Sequence, residues 1–364
     1  MIPVTQPYLP NREKLNRYID GIYERAWLTN NGPLAQELTQ RLEEYLGVEN
    51  LLLVANGTLA LQIAYRALGI SGQRDRAEAI TTPFTFVATA SSLKWEGVEP
   101  IFADIDADTW CLDAANIEAA VTPKTRAIVP VHVFGNACEV EAIDLIARRH
   151  KLKVIYDGAH AFGVRYKGES LLKHGDATTL SFHATKLFHT TEGGAIIFKR
   201  KEDLERAKKM INFGIAGTKN IEELGVNAKM NEMQAAMGLC VLDEMEGNLK
   251  ARAAVWRRYA QALSQSLLLQ AKPDTLEYNY AYFPVVFERE EQAMRVVATL
   301  EENGIHARRY FYPSLESVSC LDAMVDQPVS KDIARRVLCL PIFYQLSQKE
   351  QNKIISLIAT ELNV

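Results

Sequence analysis

The sequence predicts an α/β fold in which helices cover a largely parallel sheet. Between about residues 33 and 200, helical patterns alternate with short apolar runs, as expected for strands connected through helices. The chain has 364 residues and is 48% hydrophobic, so it can bury a large core. We expect one large and one small domain, with ligands bound at the carboxyl ends of the strands.

The elements of the first part of the chain alternate regularly. Pro33 favours the first turn of a helix that runs to Tyr45, because its fixed φ suits that position. The predicted helices cover residues 33–45, 58–68, 87–95 and 140–150. The predicted strands cover residues 51–54, 79–81, 100–103, 127–131, 153–157, 178–182 and 195–198.

The second part of the chain follows a polar stretch near residues 214–225. Apolar residues at three- and four-residue steps predict one long helix over residues 230–263, which would bridge the two domains. A strand over residues 282–287, a helix over residues 292–303 and a last helix over residues 349–362 complete the chain.

Composition excludes several classes of protein. There are 41 Lys and Arg against 45 Asp and Glu, so the charge of −4 suits neither nucleic acid nor an anionic membrane. The five cysteines are scattered without a C-x-x-C pair, which argues against a disulfide framework and a zinc site. There is no signal pattern and no apolar stretch of roughly 20 residues, so we expect a cytoplasmic protein without membrane spans.

Lys186 is the candidate nucleophile. A lysine forms a Schiff base only when its amine can lose a proton, which favours a loop inside a site over a solvated helix face. Lys186 follows the apolar run Leu180–Phe182 and precedes the turn Glu192-Gly193-Gly194. An ordinary lysine on a surface loop would fit the same spacing, so both interpretations remain open at this point.

Two predicted strand ends carry groups suited to a phosphorylated ring. Asp157 could pair with a pyridine nitrogen, or it could cap a helix. Asn56-Gly57-Thr58 could hold a phosphate with backbone N–H groups and the Thr58 hydroxyl, or form only a capped turn. The P-loop and G-x-G-x-x-G patterns are missing, which disfavours a nucleotide-hydrolysing or Rossmann protein.

Aromatic and imidazole side chains complete the candidates. Phe84 and Phe86 follow Thr82-Pro83 at the end of a strand, where an aromatic ring could stack on a cofactor or pack in the core. Four histidines lie near strand ends or in the Lys186 loop: His132, His160, His183 and His189. None pairs at the i, i+4 spacing of a helical metal site, and we predict no metal.

These candidates lie in five short segments, in this order: Gly57-Thr58, Thr82-Pro83 with Phe86, Asp157-Gly158-Ala159-His160, Ser181-Phe182-His183-Ala184-Thr185-Lys186 and Glu192-Gly193-Gly194. The series resembles the DegT/DnrJ/EryC1/StrS family of nucleotide-sugar aminotransferases over nearly the whole chain. The resemblance implies the fold-type I, aspartate-aminotransferase-like architecture. A large domain with a mostly parallel seven-stranded sheet would cover residues 1–245, and a smaller α+β domain would cover residues 246–364.

The resemblance also implies pyridoxal 5′-phosphate (PLP) as the cofactor, with pyridoxamine 5′-phosphate formed during turnover. Lys186 would hold the cofactor as a Schiff base and then carry protons between cofactor and substrate. Asp157 would pair with the pyridine nitrogen, Phe86 would stack on the ring, and His160 would lie beside its 3-hydroxyl group.

The phosphate of the cofactor is implied to contact Gly57, Thr58 and Ser181. The segment around Asn227 resembles the one through which family members reach the phosphate of the neighbouring subunit, which implies a homodimer. Asn56 stands where Ser is usual in the family, so its own contact with the phosphate is in doubt.

The implied substrates are L-glutamate and a nucleotide-linked keto sugar. Thr29 and Asn30 of an N-terminal loop, together with His183, His189 and Tyr310, are the residues expected near the substrate.

The loop around Lys186 decides the expected site of amination. Ser-Phe-His-x-x-Lys followed by Glu-Gly-Gly resembles members that aminate C4, whereas C3 enzymes resemble Ser-Phe-Tyr-Pro-x-Lys. We therefore expect conversion of a nucleotide-linked 4-keto-6-deoxyhexose into a 4-amino sugar for a surface polysaccharide such as O-antigen. The expected substrate is dTDP-4-dehydro-6-deoxy-D-glucose, with a dTDP sugar slightly preferred over a UDP sugar. A C3 aminotransferase and a non-catalytic PLP-binding regulator are the alternatives. A related sugar dehydratase would carry His in place of Lys186, and a PLP-free lyase would have no use for Asp157.

Overall fold

A computed structural model describes residues 1–71, 77–218, 220–321 and 325–362 of the chain. Its strands are β1 (Leu51–Val54), β2 (Glu78–Thr81), β3 (Glu99–Phe102), β4 (Thr125–Val129), β5 (Lys153–Asp157), β6 (Arg165–Tyr166), β7 (Glu169–Ser170), β8 (Ala177–Ser181), β9 (Gly194–Phe198), β10 (Ile215–Ala216), β11 (Asn220–Ile221), β12 (Leu268–Leu269), β13 (Leu276–Glu277), β14 (Pro284–Val286) and β15 (Val337–Cys339).

The helices surround these strands. They are α1 (Arg12–Arg25), α2 (Pro33–Leu46), α3 (Gly57–Ala67), α4 (Ala88–Trp95), α5 (Ala114–Ala119), α6 (Val140–His150), α7 (Lys201–Met210), α8 (Glu232–Asp243), α9 (Met245–Leu263), α10 (Glu290–Glu302), α11 (Pro328–Arg336) and α12 (Gln348–Leu362). None of the helices in the described ranges is both long and apolar enough to cross a membrane.

The centre of the fold is a seven-stranded sheet of order β1-β9-β8-β5-β4-β2-β3. Only β9 runs against the others, because it pairs antiparallel with both β1 and β8. The predicted α/β fold with a mostly parallel seven-stranded sheet is therefore confirmed. The carboxyl ends of six strands meet at one edge, which is where ligands bind in such sheets.

Both faces of the sheet are buried, which explains why its strands read as continuous apolar runs. In β1, Leu51 and Leu53 belong to one core, which also holds apolar residues of α2, α6 and α8. Leu52 and Val54 belong to a second core on the opposite face, together with residues of α3 and α7. Successive side chains of a strand point to opposite faces, so the two layers follow directly from the pattern.

The buried residues of a third core all lie between Val255 and Ile358, and they pack around β14, β15, α10 and α12. Helix α9 contributes Met245 to the first core and Tyr259 to the third. The division of the chain into a large domain of residues 1–245 and a small domain of residues 246–364 stays a prediction.

The single long helix predicted over residues 230–263 is wrong, because α8 ends and α9 begins on either side of Glu244. The Glu244 carboxylate accepts hydrogen bonds from the Tyr8 hydroxyl at 2.7 Å and the Asn11 backbone amide at 3.0 Å. These partners come from the other end of the chain, so helical periodicity alone carries no sign of them.

Candidate active site

A cavity of about 360 Å³ lies at the carboxyl edge of the central sheet. This volume is within the range of small-molecule sites. The cavity brings together nine of the thirteen residues predicted to bind the cofactor or the substrate: Gly57, Thr58, Phe86, Asp157, His160, Ser181, His183, Lys186 and Tyr310.

The start of α3 forms one wall of the cavity. Asn56 caps this helix by accepting a hydrogen bond from the Leu59 amide at 2.9 Å, so its side chain is already engaged. The amides of Gly57 and Thr58 have no acceptor among the described residues, as expected for the first positions of a helix. A Cβ on Gly57 would lie 2.8 Å from Cβ of Ser181, so only glycine lets the helix start approach Ser181 this closely. The turn is thus both capped and open to an anion.

Asp157 is the last residue of β5 and is only 7% exposed. Its Oδ2 accepts a hydrogen bond from the Thr89 hydroxyl at 2.8 Å, and its Oδ1 accepts one from the Ala159 amide at 3.0 Å. The chain continues as a turn rather than a helix, so Asp157 is not a helix cap. Among the described residues no lysine or arginine forms a salt bridge with Asp157, although the Lys186 amine is close enough for the two charges to interact. The buried carboxylate can therefore take a further cationic partner.

His160 faces the cavity in a neutral, defined form. Its Nδ1 accepts a hydrogen bond from the Phe134 amide at 3.1 Å, which leaves Nε2 to carry the proton. Burial, together with the positive charge of Lys186, holds the pKa of His160 well below its usual value. The imidazole can therefore donate a hydrogen bond to a ligand in the cavity.

The two candidate phenylalanines separate. Phe84 is fully buried and packs edge-on against Phe134 and Phe311, so it belongs to the core. Phe86 lines the cavity and is 56% exposed. A bare aromatic face at the edge of a cavity suits stacking on a flat ring.

Lys186 reaches into the cavity from the loop between β8 and β9. Its Nζ donates a hydrogen bond to the hydroxyl of Tyr282 at 3.3 Å. Burial lowers the pKa of the Lys186 amine, although the nearby Asp157 carboxylate opposes this shift. Lys186 is therefore not an ordinary surface lysine, since its amine is desolvated enough to lose a proton more readily.

The rim of the cavity carries polar side chains. His183 lies 3.7 Å from the Glu192 carboxylate, and both line the cavity. Tyr310 is partly buried, which raises its pKa. The guanidinium of Arg308 lies 5.0 Å from the centre of the Tyr310 ring and has no carboxylate partner among the described residues. Besides Lys186, Arg308 is the only lysine or arginine in the described lining.

Four predicted site residues lie outside this cavity. Thr29 and Asn30 are exposed on the loop before α2, and Asn227 is exposed beside Asn212, with which it forms a β-bridge. His189 is buried: Nε2 contacts the Tyr8 carbonyl at 2.7 Å and Nδ1 accepts from the Thr191 amide at 3.3 Å. Both ring nitrogens of His189 are engaged in fixing the loop, so its contacts do not support a role in substrate binding.

Sequence reasoning missed three residues of the site. Tyr282 resembled one more aromatic residue of a predicted strand, and Arg308 stands beside Arg309 with nothing to distinguish it. Only the structure shows that Arg309 pairs with Glu290 at 2.9 Å whereas Arg308 faces the cavity. Thr89, which supports Asp157, looked like an ordinary helix residue.

The arrangement suits a flat ring with a cationic nitrogen and a phosphate group. It offers open amides for an anion, a buried carboxylate for a cation, an aromatic face and an amine of lowered pKa. No group of three or more histidine, cysteine, aspartate or glutamate side chains in the described ranges could hold a metal ion.

The chain matches the sequence profile of the DegT/DnrJ/EryC1/StrS aminotransferase family over residues 10–359. A dTDP-4-amino-4,6-dideoxy-D-glucose transaminase from Shigella dysenteriae is 42% identical, with 98% of this chain and 97% of the relative covered. One of the same name from Escherichia coli is 40% identical, with 98% of both covered.

A solved structure is also similar to the chain over its whole length. The crystal structure of DesI in the presence of its TDP-sugar product superposes with a TM-score of 0.93 at 31% identity, covering 99% of this chain and 93% of DesI.

Proposed function

The chain belongs to the DegT/DnrJ/EryC1/StrS aminotransferase family, and on that premise we propose that it transfers an amino group from L-glutamate to C4 of a dTDP-linked 4-keto-6-deoxyhexose. The expected acceptor is dTDP-4-dehydro-6-deoxy-D-glucose. The observation that carries the proposal is that Lys186, Asp157, His160, Phe86 and the open turn at Gly57 line one cavity.

The residues at the start of α3 fit the phosphate of PLP. The free amides of Gly57 and Thr58 would donate to the phosphate, where the helix dipole also favours an anion. Ser181 closes the cradle from the end of β8, and its contact depends on the absence of a Cβ at Gly57. Asn56 would act indirectly, as the cap that orients these amides.

The remaining residues fit the ring. Asp157 would supply the negative charge that keeps the pyridine nitrogen protonated, and Phe86 would cover one face of the ring. His160 would donate from Nε2 to the 3-hydroxyl side. PLP bound in this way supplies an electron sink for the pair of electrons left on the substrate carbon when its proton is removed.

Lys186 would carry the proton. As a neutral amine, its Nζ would take the proton from the α-carbon of glutamate, breaking the C–H bond and becoming an ammonium group. It would then return a proton when the sugar is aminated. Burial, which lowers the pKa of Lys186, favours the neutral amine that this task requires.

Two observations support C4 and dTDP. The relatives at 42% and 40% identity are both named dTDP-4-amino-4,6-dideoxy-D-glucose transaminases, and transamination in the amine-forming direction starts from the corresponding 4-ketone. In the loop that carries Lys186, His183 and Glu192 line the cavity. They belong to the Ser-Phe-His and Glu-Gly-Gly segments that resemble those of C4 enzymes. The position of this loop would decide which ring carbon reaches the reacting nitrogen.

Both substrates are anions, and Arg308 is suited to meet them. A guanidinium presents a planar fork of donors that matches carboxylate and phosphate oxygens. Arg308 is held through its backbone by two hydrogen bonds with Cys339, while its side chain remains unpaired with any described carboxylate. Tyr310 beneath the guanidinium would contact the sugar.

We also propose a homodimer in which Asn227 completes the phosphate site of the partner subunit. The segment preceding Asn227 exposes large apolar side chains, with Ile221 at 77% and Leu224 at 74% exposure. Exposed apolar patches of this kind mark interaction surfaces. Because Thr29 and Asn30 do not line the cavity of their own chain, any role near the substrate would also require the second subunit.

The experiment is to follow the visible absorbance of the PLP-loaded protein. L-Glutamate is expected to abolish the band of the lysine-bound cofactor, and the 4-keto sugar on dTDP is expected to restore it. No change with glutamate would contradict the proposed reaction. Recovery with a 3-keto sugar alone would contradict the choice of C4.

A further inference from the structure

Tyr282 lines the same cavity as Lys186 and contacts its amine. Its hydroxyl is 3.3 Å from Lys186 Nζ, and the ammonium is 5.9 Å from the centre of the Tyr282 ring. We infer that Tyr282 is the positioning residue that fixes the Lys186 amine for proton transfer.

The phenol is anchored so that it can serve this purpose. Its ring packs against His160 at 4.6 Å and Phe134 at 5.5 Å between ring centres. The backbone carbonyl of Tyr282 accepts a hydrogen bond from the Tyr278 hydroxyl at 3.1 Å. A flexible lysine side chain thus meets a hydroxyl that the surrounding aromatic core holds in place.

The chemistry of the two groups fits this role. The ammonium form of Lys186 donates to the phenol oxygen, and the neutral amine can still donate one N–H while its lone pair points at the substrate carbon. Burial raises the pKa of Tyr282, so the phenol stays protonated and does not itself become the base. Tyr282 acts through Lys186, whereas Lys186 is the residue that breaks and forms bonds to hydrogen.

The inference rests on the proposed function for its kinetic test. Tyr282→Phe keeps the ring and its aromatic contacts but removes the hydroxyl. The rate constant of the glutamate half-reaction should fall about ten- to a hundredfold, the range for losing a hydrogen bond to a charged group. The KM for glutamate should stay near that of the wild type, and deuterium on the α-carbon should slow the variant by a larger factor than it slows the wild type.

A second readout does not depend on turnover. In the cofactor-free protein, the rate at which acetic anhydride labels Lys186 can be measured by mass spectrometry across pH. Loss of a hydrogen bond to the charged form lowers an amine pKa, so the pH midpoint of labelling should fall in Tyr282→Phe. Tyr259→Phe is the matched control, since the buried Tyr259 hydroxyl has no hydrogen-bond partner among the described residues and lies in the third core.

The outcomes separate the two proposals. If the wild type shows no glutamate half-reaction, the proposed function fails, and the labelling midpoint still tests the contact between Tyr282 and Lys186. If the wild type reacts but Tyr282→Phe matches it in half-reaction rate, isotope effect and labelling midpoint, the positioning role is overturned. If Tyr282→Phe lowers the half-reaction rate, raises the KM for glutamate by a similar factor and leaves the labelling midpoint unchanged, the residue has only a structural role. That result would also overturn the positioning role.

Discussion

Replacing Gly57 by alanine tests the proposed phosphate cradle. The new Cβ would lie 2.8 Å from Cβ and 3.2 Å from Cα of Ser181. Carbon atoms pack best at about 3.5–4.0 Å, so the start of α3 and the end of β8 must separate by roughly 0.7–1.2 Å. Such overpacking costs about 1–3 kcal/mol, offset by up to about 1 kcal/mol from the better helix propensity of alanine.

The larger effect should fall on the cofactor. Moving the helix start weakens one charge-assisted hydrogen bond to the phosphate, which corresponds to about a 10- to 150-fold higher Kd for PLP. The assay is a titration of the cofactor-free protein with PLP and with pyridoxal, which lacks the phosphate. Only PLP binding should weaken in Gly57→Ala. Gly247→Ala is the control, because nothing lies within 4 Å of a Cβ at that position of α9. Unchanged PLP binding, or equal weakening of both ligands, would refute the reasoning.

The remaining predictions concern catalysis, subunit sharing and substrate charge. Lys186→Ala should fold and dimerise but lose turnover, and retained amination above a few per cent would contradict its role. Asp157→Asn should slow the reaction by about a hundredfold or more, since an amide cannot supply the charge that keeps the ring nitrogen protonated; near-normal rates would remove Asp157 from the mechanism. Mixed dimers of Lys186→Ala with Asn227→Ala subunits should regain activity, because one of their two sites combines both wild-type residues. No rescue after confirmed exchange of subunits would argue against shared sites. Arg308→Gln should raise the KM of at least one anionic substrate by about tenfold or more. Replacing the exposed Arg295 by Gln is the control and should leave the KM of both substrates unchanged. Equal KM values in the two variants would refute the role of Arg308.

The sequence predicts the central sheet well because its pattern is local. Strand β1 reads as Leu51–Val54 in the sequence and has those bounds in the structure, since burial on both faces demands a continuous apolar run. Helix α6 is likewise predicted at Val140–His150, where the apolar residues Val140 and Ile143 mark its buried stripe.

Contacts between distant parts of the chain could not be predicted. The break at Glu244 depends on Tyr8 and Asn11. The contact between Lys186 and Tyr282 joins the loop after β8 to the segment just before β14, far along the sequence. Periodicity describes only neighbours along the chain, so such pairs leave no mark in a single sequence.

The candidate site also contains features that the sequence predicts and features that it does not. Lys186, Asp157 and His160 belong to a short ordered series, and they line one cavity. His189 belongs to the same loop as Lys186, yet its ring turns away to the Tyr8 carbonyl. Position in a motif therefore indicated the neighbourhood of these side chains but not the direction in which each one points.

The most direct test of the proposed reaction is to locate the transferred nitrogen. The PLP-loaded protein would be incubated with ¹⁵N-labelled L-glutamate and dTDP-4-dehydro-6-deoxy-D-glucose, and the sugar product examined by NMR. We predict that the label appears as an amine on C4 of the sugar and on no other carbon. An amine on C3, or a sugar recovered without label from a protein that binds PLP, would contradict the proposed function.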